Sequence, residues 1–297
     1  MTSTRSLRPA LPDQVNLYRR PGLFYGLAVA IPWSLWLLAG QLSRRPEQSS
    51  ALHWGTMALA VAGLLAPVAI AWLMVRRNTV LRNDVLHRLA NFREVPPLLG
   101  VASLVLLPAS LLAATALSLP LGYSAGQFAP RTSTAMLGGW AVLLLAPVLE
   151  ELAWHSYGTD ALASRWTVWR STIVFAIIWA AWHLPLAGIK GSYQADVVEN
   201  SMLAGVNFVA SVFPLMILMN WLYYRCGRNI WVPVAVHLSA NLGNKIFWTH
   251  PDTKVIQTAV LLPLCCWLLW HDRELFFTRP QASHPQQRLH SGVLSSV

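Results

Sequence analysis

Long apolar runs separated by short polar segments make up most of this 297-residue chain. An α-helix rises ~1.5 Å per residue, so about 20 apolar residues cross the ~30 Å hydrocarbon core of a bilayer. We recognise eight such runs, at residues 23–42, 54–75, 98–120, 137–157, 171–189, 202–224, 230–248 and 255–270. The pattern predicts an all-α fold, a polytopic membrane helical bundle with eight transmembrane helices.

The composition supports the same class. Hydrophobic residues make up 55% of the chain and charged residues 11%, whereas about 25% of a soluble domain is charged. The net charge of +10 does not indicate a nucleic-acid-binding protein, because the basic residues are dispersed between the apolar runs rather than gathered in one patch. We therefore expect the lipid bilayer as a partner, and no nucleic acid.

The basic residues also predict an orientation, since cytoplasmic loops carry an excess of Lys and Arg. With eight spans, 16 of the 22 Lys and Arg residues fall on the side of the N-terminus, and the pair Arg44 and Arg45 is the main exception. Both termini are thus predicted to be cytoplasmic. We divide the chain into a cytoplasmic tail (1–20), a membrane-embedded helical domain (21–272) and a flexible cytoplasmic tail (273–297).

The segment 78–97, between the second and third runs, has its own pattern. Apolar residues recur at helical spacing against Arg82, Arg88 and Arg93. This is typical of an amphipathic helix on the membrane surface, and a solvated loop helix is the alternative.

Glu150 and Glu151 are the two carboxylates that lie inside a long apolar run, because the other acidic residues fall between the runs or beyond them. An ionisable group at membrane depth costs at least ~2.5–3.5 kcal/mol. The pair therefore needs a compensating partner or a chemical task. With the predicted orientation, Glu150 and Glu151 share one depth with His183, His237 and Asn241, which lie on two other helices.

The spacing of these residues forms three motifs. They are Glu150-Glu151-x-x-x-His155, Trp179-x-x-x-His183 and His237-x-x-x-Asn241. Residues four apart share one face of a helix, so Glu151 and His155 can point into one interior cavity, as can the two ends of each of the other motifs.

Together the motifs resemble those of the CAAX-protease and bacteriocin-processing (Abi) family of intramembrane glutamic endopeptidases, over a catalytic core at about residues 137–248. The resemblance implies that Glu150, with His183, activates water. It also implies that His237 and Asn241 stabilise the oxyanion. One departure is that the family's first motif usually ends in arginine and glycine, where this chain has His155 and Ser156.

The chemistry of amide hydrolysis fits these residue types independently. It needs a base for water, a proton for the leaving amine and donors for the tetrahedral oxyanion. Glu150 or Glu151 suits the first task, His183 can shuttle the proton, and Asn241 offers an uncharged donor. We expect a membrane-associated peptide or protein as substrate, no cofactor, and a bacterial inner or plasma membrane as the location.

Three alternatives stay open at this stage. Glu151, His155, His183 and His237 form a nitrogen and oxygen set that zinc accepts, although their spacing is not that of soluble zinc peptidases. Acidic residues facing histidines in a membrane also mark proton-coupled transporters. Finally, the histidine at position 155 is compatible with a catalytically silent immunity or scaffold protein of the same fold.

Overall fold

A computed structural model describes residues 13–47, 49–130 and 137–278. The regular elements of these residues are helices, without a strand. The α-helices are α1 (Pro21–Ser43), α2 (Ser50–Val75), α3 (Thr79–Ala90), α4 (Pro97–Ser118), α5 (Leu137–Ala153), α6 (Thr159–Ala163), α7 (Val168–His183), α8 (Tyr193–Asn200), α9 (Met202–Arg225), α10 (Trp231–Ile246), α11 (Pro251–His271) and α12 (Arg273–Phe277). The all-α prediction is confirmed.

Within the described part of the chain, six helical segments are long and apolar enough to cross a membrane. They are Pro21–Ser43, Ser50–Val75, Pro97–Leu121, Val168–Gly188, Met202–Arg225 and Pro251–His271. The protein is therefore an integral, multi-pass membrane protein. The fourth and seventh predicted runs form α5 and α10, which have 17 and 16 residues, or only about 24–26 Å at helical rise. The count of eight spans and the orientation of the termini stay predictions.

The two shorter helices pack inside the bundle. α5 contacts α2 and α10, and α10 also contacts α4 and α9. The longer helices expose large apolar side chains on their outer faces, among them Leu37, Trp72 and Leu104, as expected for surfaces that face lipid tails. The helices that carry the first and third motifs thus pack against longer neighbours, although α5 still exposes Leu144 and Leu145.

Short segments on both sides of the predicted membrane domain, 21–272, also pack on it. Val15 and Tyr18 are fully buried, and so is Phe276 of α12. The part of the predicted flexible tail that directly follows residue 272 is therefore helical, because Leu275 and Phe276 supply the apolar surface that the rest of its composition lacks. Residues 1–12 and 279–297 lie outside the described residues.

α5 continues into one π-helical turn, Trp154–Gly158, which is completely buried. In this turn the amide of Thr159 bonds to the carbonyl of Trp154, five residues back. Single π turns inside α-helices occur frequently at functional sites. The turn ends at Gly158, where α1 comes so close that a Cβ atom would lie 2.7 Å from Phe24 Cε1 and 2.9 Å from the Tyr25 hydroxyl.

This close approach predicts that Gly158→Ala destabilises the protein by about 1–3 kcal/mol through overpacking. Gly26→Ala on α1 is the matched control, because no atom lies within 4 Å of the added Cβ and alanine favours the helix by up to about 1 kcal/mol. Thermal unfolding of both variants in one detergent measures the difference. An equal midpoint for the two would contradict the contact.

Candidate active site

Glu150 and Glu151 lie in the last turn of α5 and are both buried, with 7% and 1% of their surface exposed. Successive residues of a helix point about 100° apart. The two carboxylates accordingly have different partners: Glu150 faces α7, whereas Glu151 faces His155 on its own helix and His237 on α10.

Glu150 lies against the second motif. The indole Nε1 of Trp179 donates a hydrogen bond to Glu150 Oε2 at 3.1 Å, and His183 Nε2 lies 4.0 Å from the same oxygen. His183 Nδ1 is 2.7 Å from the carbonyl oxygen of Trp179. A carbonyl only accepts, so Nδ1 carries the proton, and in neutral imidazole Nε2 then presents its lone pair towards Glu150. A distance of 4.0 Å is too long for a direct hydrogen bond.

Glu151 is held on both of its oxygens. His237 Nδ1 lies 2.8 Å from Oε1, and His155 Nδ1 lies 2.5 Å from Oε2. A carboxylate only accepts, so both Nδ1 atoms donate to it. Glu151 thereby joins the first motif to the third and fixes the direction of two imidazole rings.

The other ring nitrogen of His155 has a partner that we did not predict from the sequence. Asn220 on α9 is fully buried, accepts through Oδ1 at 3.0 Å from His155 Nε2, and donates through Nδ2 to Thr172 Oγ1 at 2.8 Å. With Asn220 in this orientation both ring nitrogens of His155 lie against oxygen acceptors. His155 is thus held between Glu151 and Asn220. The sequence signal that could have indicated Asn220 was its position as a polar amide inside the apolar run 202–224.

Asn241 lies one helical turn after His237 on α10 and is half-buried. Its side chain makes no hydrogen bond to the rest of the described chain. Of the six predicted site residues, the structure thus connects Glu151 with His155 and His237, and Glu150 with the second motif that carries His183. Asn241 is placed on the same helix face as His237 without a partner of its own.

Comparisons with known proteins bear on the same residues. Residues 132–243 match the family model described as Type II CAAX prenyl endopeptidase Rce1-like, a stretch that contains all three motifs. A protein of Methanococcus maripaludis named CAAX prenyl protease 2 is 29% identical over 265 residues, which cover 87% of this chain and 96% of that protein. The family resemblance drawn from the sequence is confirmed. The match to CAAX prenyl endopeptidases supports intramembrane endopeptidase activity in general.

The geometry of the three motifs bears on the alternative zinc set. Glu151, His155, His183 and His237 do not converge on one point, and the described residues contain no group of three or more His, Cys, Asp or Glu side chains that could hold a metal ion. The arrangement therefore does not fit the predicted zinc set, since both oxygens of Glu151 and both ring nitrogens of His155 are engaged in hydrogen bonds. Whether activity depends on a metal stays an open prediction.

A buried ion cluster lies next to the three motifs, on the side of the π turn. Its members are two carboxylates, two guanidinium groups and two phenols: Tyr18, Asp84, Arg88, Asp160, Tyr223 and Arg228. Arg88 and Asp160 are 1% and 0% exposed.

One interpretation of the sequence was wrong here, because Arg88 does not lie on the polar face of a surface helix. Arg88 is buried because Asp84 and Asp160 neutralise it and because Tyr223, far along the chain, accepts a hydrogen bond from it. The sequence signal for this burial was the pair of opposite charges Asp84 and Arg88, which lie four residues apart on α3 and can neutralise each other.

Proposed function

We propose that this protein is an intramembrane endopeptidase that hydrolyses a peptide bond of a membrane-associated substrate with water activated by Glu150. The observation that carries the proposal is the different state of the two carboxylates. Glu151 has both oxygens bound by histidines, whereas Glu150 receives one indole hydrogen bond and faces the Nε2 atom of His183 across 4.0 Å. Polar groups separated by more than about 3.5 Å are commonly bridged by water.

In the proposed reaction this water is the nucleophile. Glu150 takes its proton as the water oxygen bonds to the carbonyl carbon of the substrate, and His183 orients the water through its Nε2 lone pair. The proton then passes to the amine nitrogen as the peptide bond breaks, so Glu150 serves as base and then as acid. No step requires a group that the chain does not supply.

The third motif stabilises the charge that forms on the substrate oxygen. His237 is anchored by Nδ1 to Glu151, so its Nε2 atom points away from the carboxylate and, when protonated, donates to the oxyanion. Asn241, one turn later on α10 and without a hydrogen-bond partner among the described residues, adds an amide donor. Donors that are fixed before the reaction are worth most because they need no reorganisation in the transition state.

Glu151 and His155 have a supporting task in this proposal. Glu151 sets the tautomer and direction of His237, and His155 binds the second oxygen of the same carboxylate. In this view the histidine at position 155 orients Glu151 and is not a sign of a silent site.

The substrate class follows from the environment of the site and from the comparisons. The motifs lie on helices of a membrane bundle, so a membrane-associated substrate shares the bilayer with the site. The Methanococcus relative is named a CAAX prenyl protease. A peptide with a prenylated C-terminal cysteine motif is therefore the first substrate to test, and the same peptide without the prenyl group is the comparison. The bacterial membrane stays a prediction.

The deciding experiment is cleavage of these peptides by the purified protein in liposomes, with and without a strong chelator. Asn241→Leu is expected to lower kcat about 10²–10³-fold, as the loss of one oxyanion donor does elsewhere. Asn244→Leu, on the same helix and three residues later, serves as the control. Loss of wild-type activity on chelation would replace the glutamate mechanism by a metal one. A folded protein that cleaves neither peptide would favour the transporter or scaffold alternatives.

A further inference from the structure

The π turn after the catalytic glutamates is bound by an arginine from a distant part of the chain. Arg88 on α3 donates from Nη1 to the carbonyl oxygen of His155 at 2.8 Å and from Nη2 to that of Ser156, also at 2.8 Å. The two nitrogens belong to one planar guanidinium, which is suited to grip two neighbouring acceptors at once. The contact is fully buried.

The position of this guanidinium is fixed from several helices. Its remaining Nη hydrogens go to the hydroxyls of Tyr223 at 2.6 Å and Tyr18 at 2.5 Å. It forms ion pairs with Asp84 at 2.9 Å and with Asp160 at 3.1 Å. Charge-assisted hydrogen bonds of this kind are about twice as strong as neutral ones. The arginine is thus held in place by groups outside α5.

The π turn needs such support. Its bonds run five residues back instead of four, which is a rare and less favourable pattern than the α-helix. Reversion to an α-helical register would shift the following residues by one position, or about 100° around the helix axis. The guanidinium of Arg88 favours the π register, because it can donate to the carbonyls of His155 and Ser156 only where the turn now places them.

His155 connects this contact to the site. Its backbone oxygen is held by Arg88, and its ring binds Glu151 and Asn220. We propose that Arg88 is a positioning residue of the active site, which holds the π turn through the carbonyls of His155 and Ser156 and so sets the direction of Glu151. Its effect on catalysis rests on the proposed endopeptidase function, whereas its effect on the π turn does not.

The test compares Arg88→Met with Arg225→Met. Arg225 on α9 is also paired with a carboxylate, that of Asp272, and it does not contact the π turn. Hydrogen exchange of the amides of residues 154–160 reports the turn directly. We expect exchange at least about tenfold faster there in Arg88→Met, because the turn opens locally, and no change there in Arg225→Met.

Peptide cleavage gives the second readout. A site displaced by about 1 Å can lose about 10²-fold in rate, so we expect Arg88→Met to lower kcat by that order with little change in KM. Arg88→Lys restores the charge without the two-point grip and should fall between Arg88→Met and wild type. Tyr223→Phe removes one hydroxyl that lies 3.0 Å from the His155 carbonyl and should show a smaller change of the same kind.

The outcomes separate the two proposals. If the wild-type protein cleaves neither peptide but exchange at residues 154–160 is faster in Arg88→Met, the endopeptidase function is refuted. The proposal that Arg88 holds the π turn then still stands. Equal exchange in Arg88→Met and Arg225→Met, with both folded, would overturn the role of Arg88. If Arg88→Met does not fold, Arg88→Lys and Tyr223→Phe carry the test, and wild-type exchange and kcat in both would equally overturn it.

Discussion

Glu150→Gln is expected to lower kcat for peptide cleavage by about 10²–10⁴-fold, the usual contribution of a general base. Glutamine keeps the size of the side chain, and its amide oxygen can still accept the hydrogen bond from Trp179 Nε1. It cannot take a proton from water. The buried contacts of α5 are therefore retained while the chemical step is lost.

The measurement is the initial rate on membrane-tethered peptides, with thermal unfolding as a check of the fold. Glu199→Gln is the matched control, because Glu199 is exposed and pairs only loosely with Arg44 at 3.6 Å. Glu151→Gln should also lose activity, but through misplaced histidines. An active Glu150→Gln beside an inactive Glu151→Gln would make Glu151 the base and refute the division of roles proposed above.

Asp160→Asn is expected to be the most destabilising single change in the buried ion cluster. Arg88 and Arg228 both lie against Asp160 Oδ2, at 3.1 and 2.6 Å, and neither guanidinium has access to water. Removing one partner of a buried ion pair leaves an uncompensated charge and costs about 3–5 kcal/mol. We expect a loss of that size in the free energy of unfolding.

Unfolding of the variant in mixed micelles measures this loss. Asp272→Asn is the control, since Asp272 also binds an arginine, Arg225, at a site where that guanidinium is partly exposed. Its cost should be clearly smaller. Equal losses for Asp160→Asn and Asp272→Asn would show that burial of the cluster does not determine its contribution.

The same cluster predicts how stability depends on pH. Burial alone would raise the pKa of Asp84, but the guanidinium groups of Arg88 and Arg228 outweigh it and lower the pKa below the ordinary value of 3.8. A carboxyl whose pKa is lower in the folded state stabilises the protein above its unfolded pKa. This contribution is therefore complete at neutral pH and is lost only as the pH falls below 3.8.

The membrane helices could be predicted from the sequence because lipid imposes length and apolar composition on each helix separately. α1, α2, α4, α9 and α11 follow from their apolar runs for this reason. α5 and α10 were found as helices, but their short length reflects packing inside the bundle, which no single run reveals. The exception to the charge rule at Arg44 also has a tertiary cause, since Arg44 Nε donates to the carbonyl of Gly188 at 2.8 Å.

The motifs could be predicted because their residues are separated by helical spacing and are unusual at membrane depth. The connection of Glu151 to His155 follows from a spacing of four residues on one helix. The roles of Asn220 and Arg88 could not be found in this way, since each depends on a partner more than 60 residues away. Local periodicity placed Arg88 on a polar face with Arg82 and Arg93, and only the fold shows that Arg88 is buried while the other two are exposed.

The separation of these partners along the chain has a consequence for biosynthesis. Asp84 and Arg228 are 144 residues apart, and at ~5–20 residues per second the ribosome needs roughly 7–30 s to make that stretch. During this interval α3 lacks Arg228, and until Asp160 has been made Arg88 has only Asp84 as an ion-pair partner among the residues of the cluster. The nascent α3 thus resembles the surface helix that its sequence pattern describes, and it takes its buried place only when the end of α9 has been synthesised.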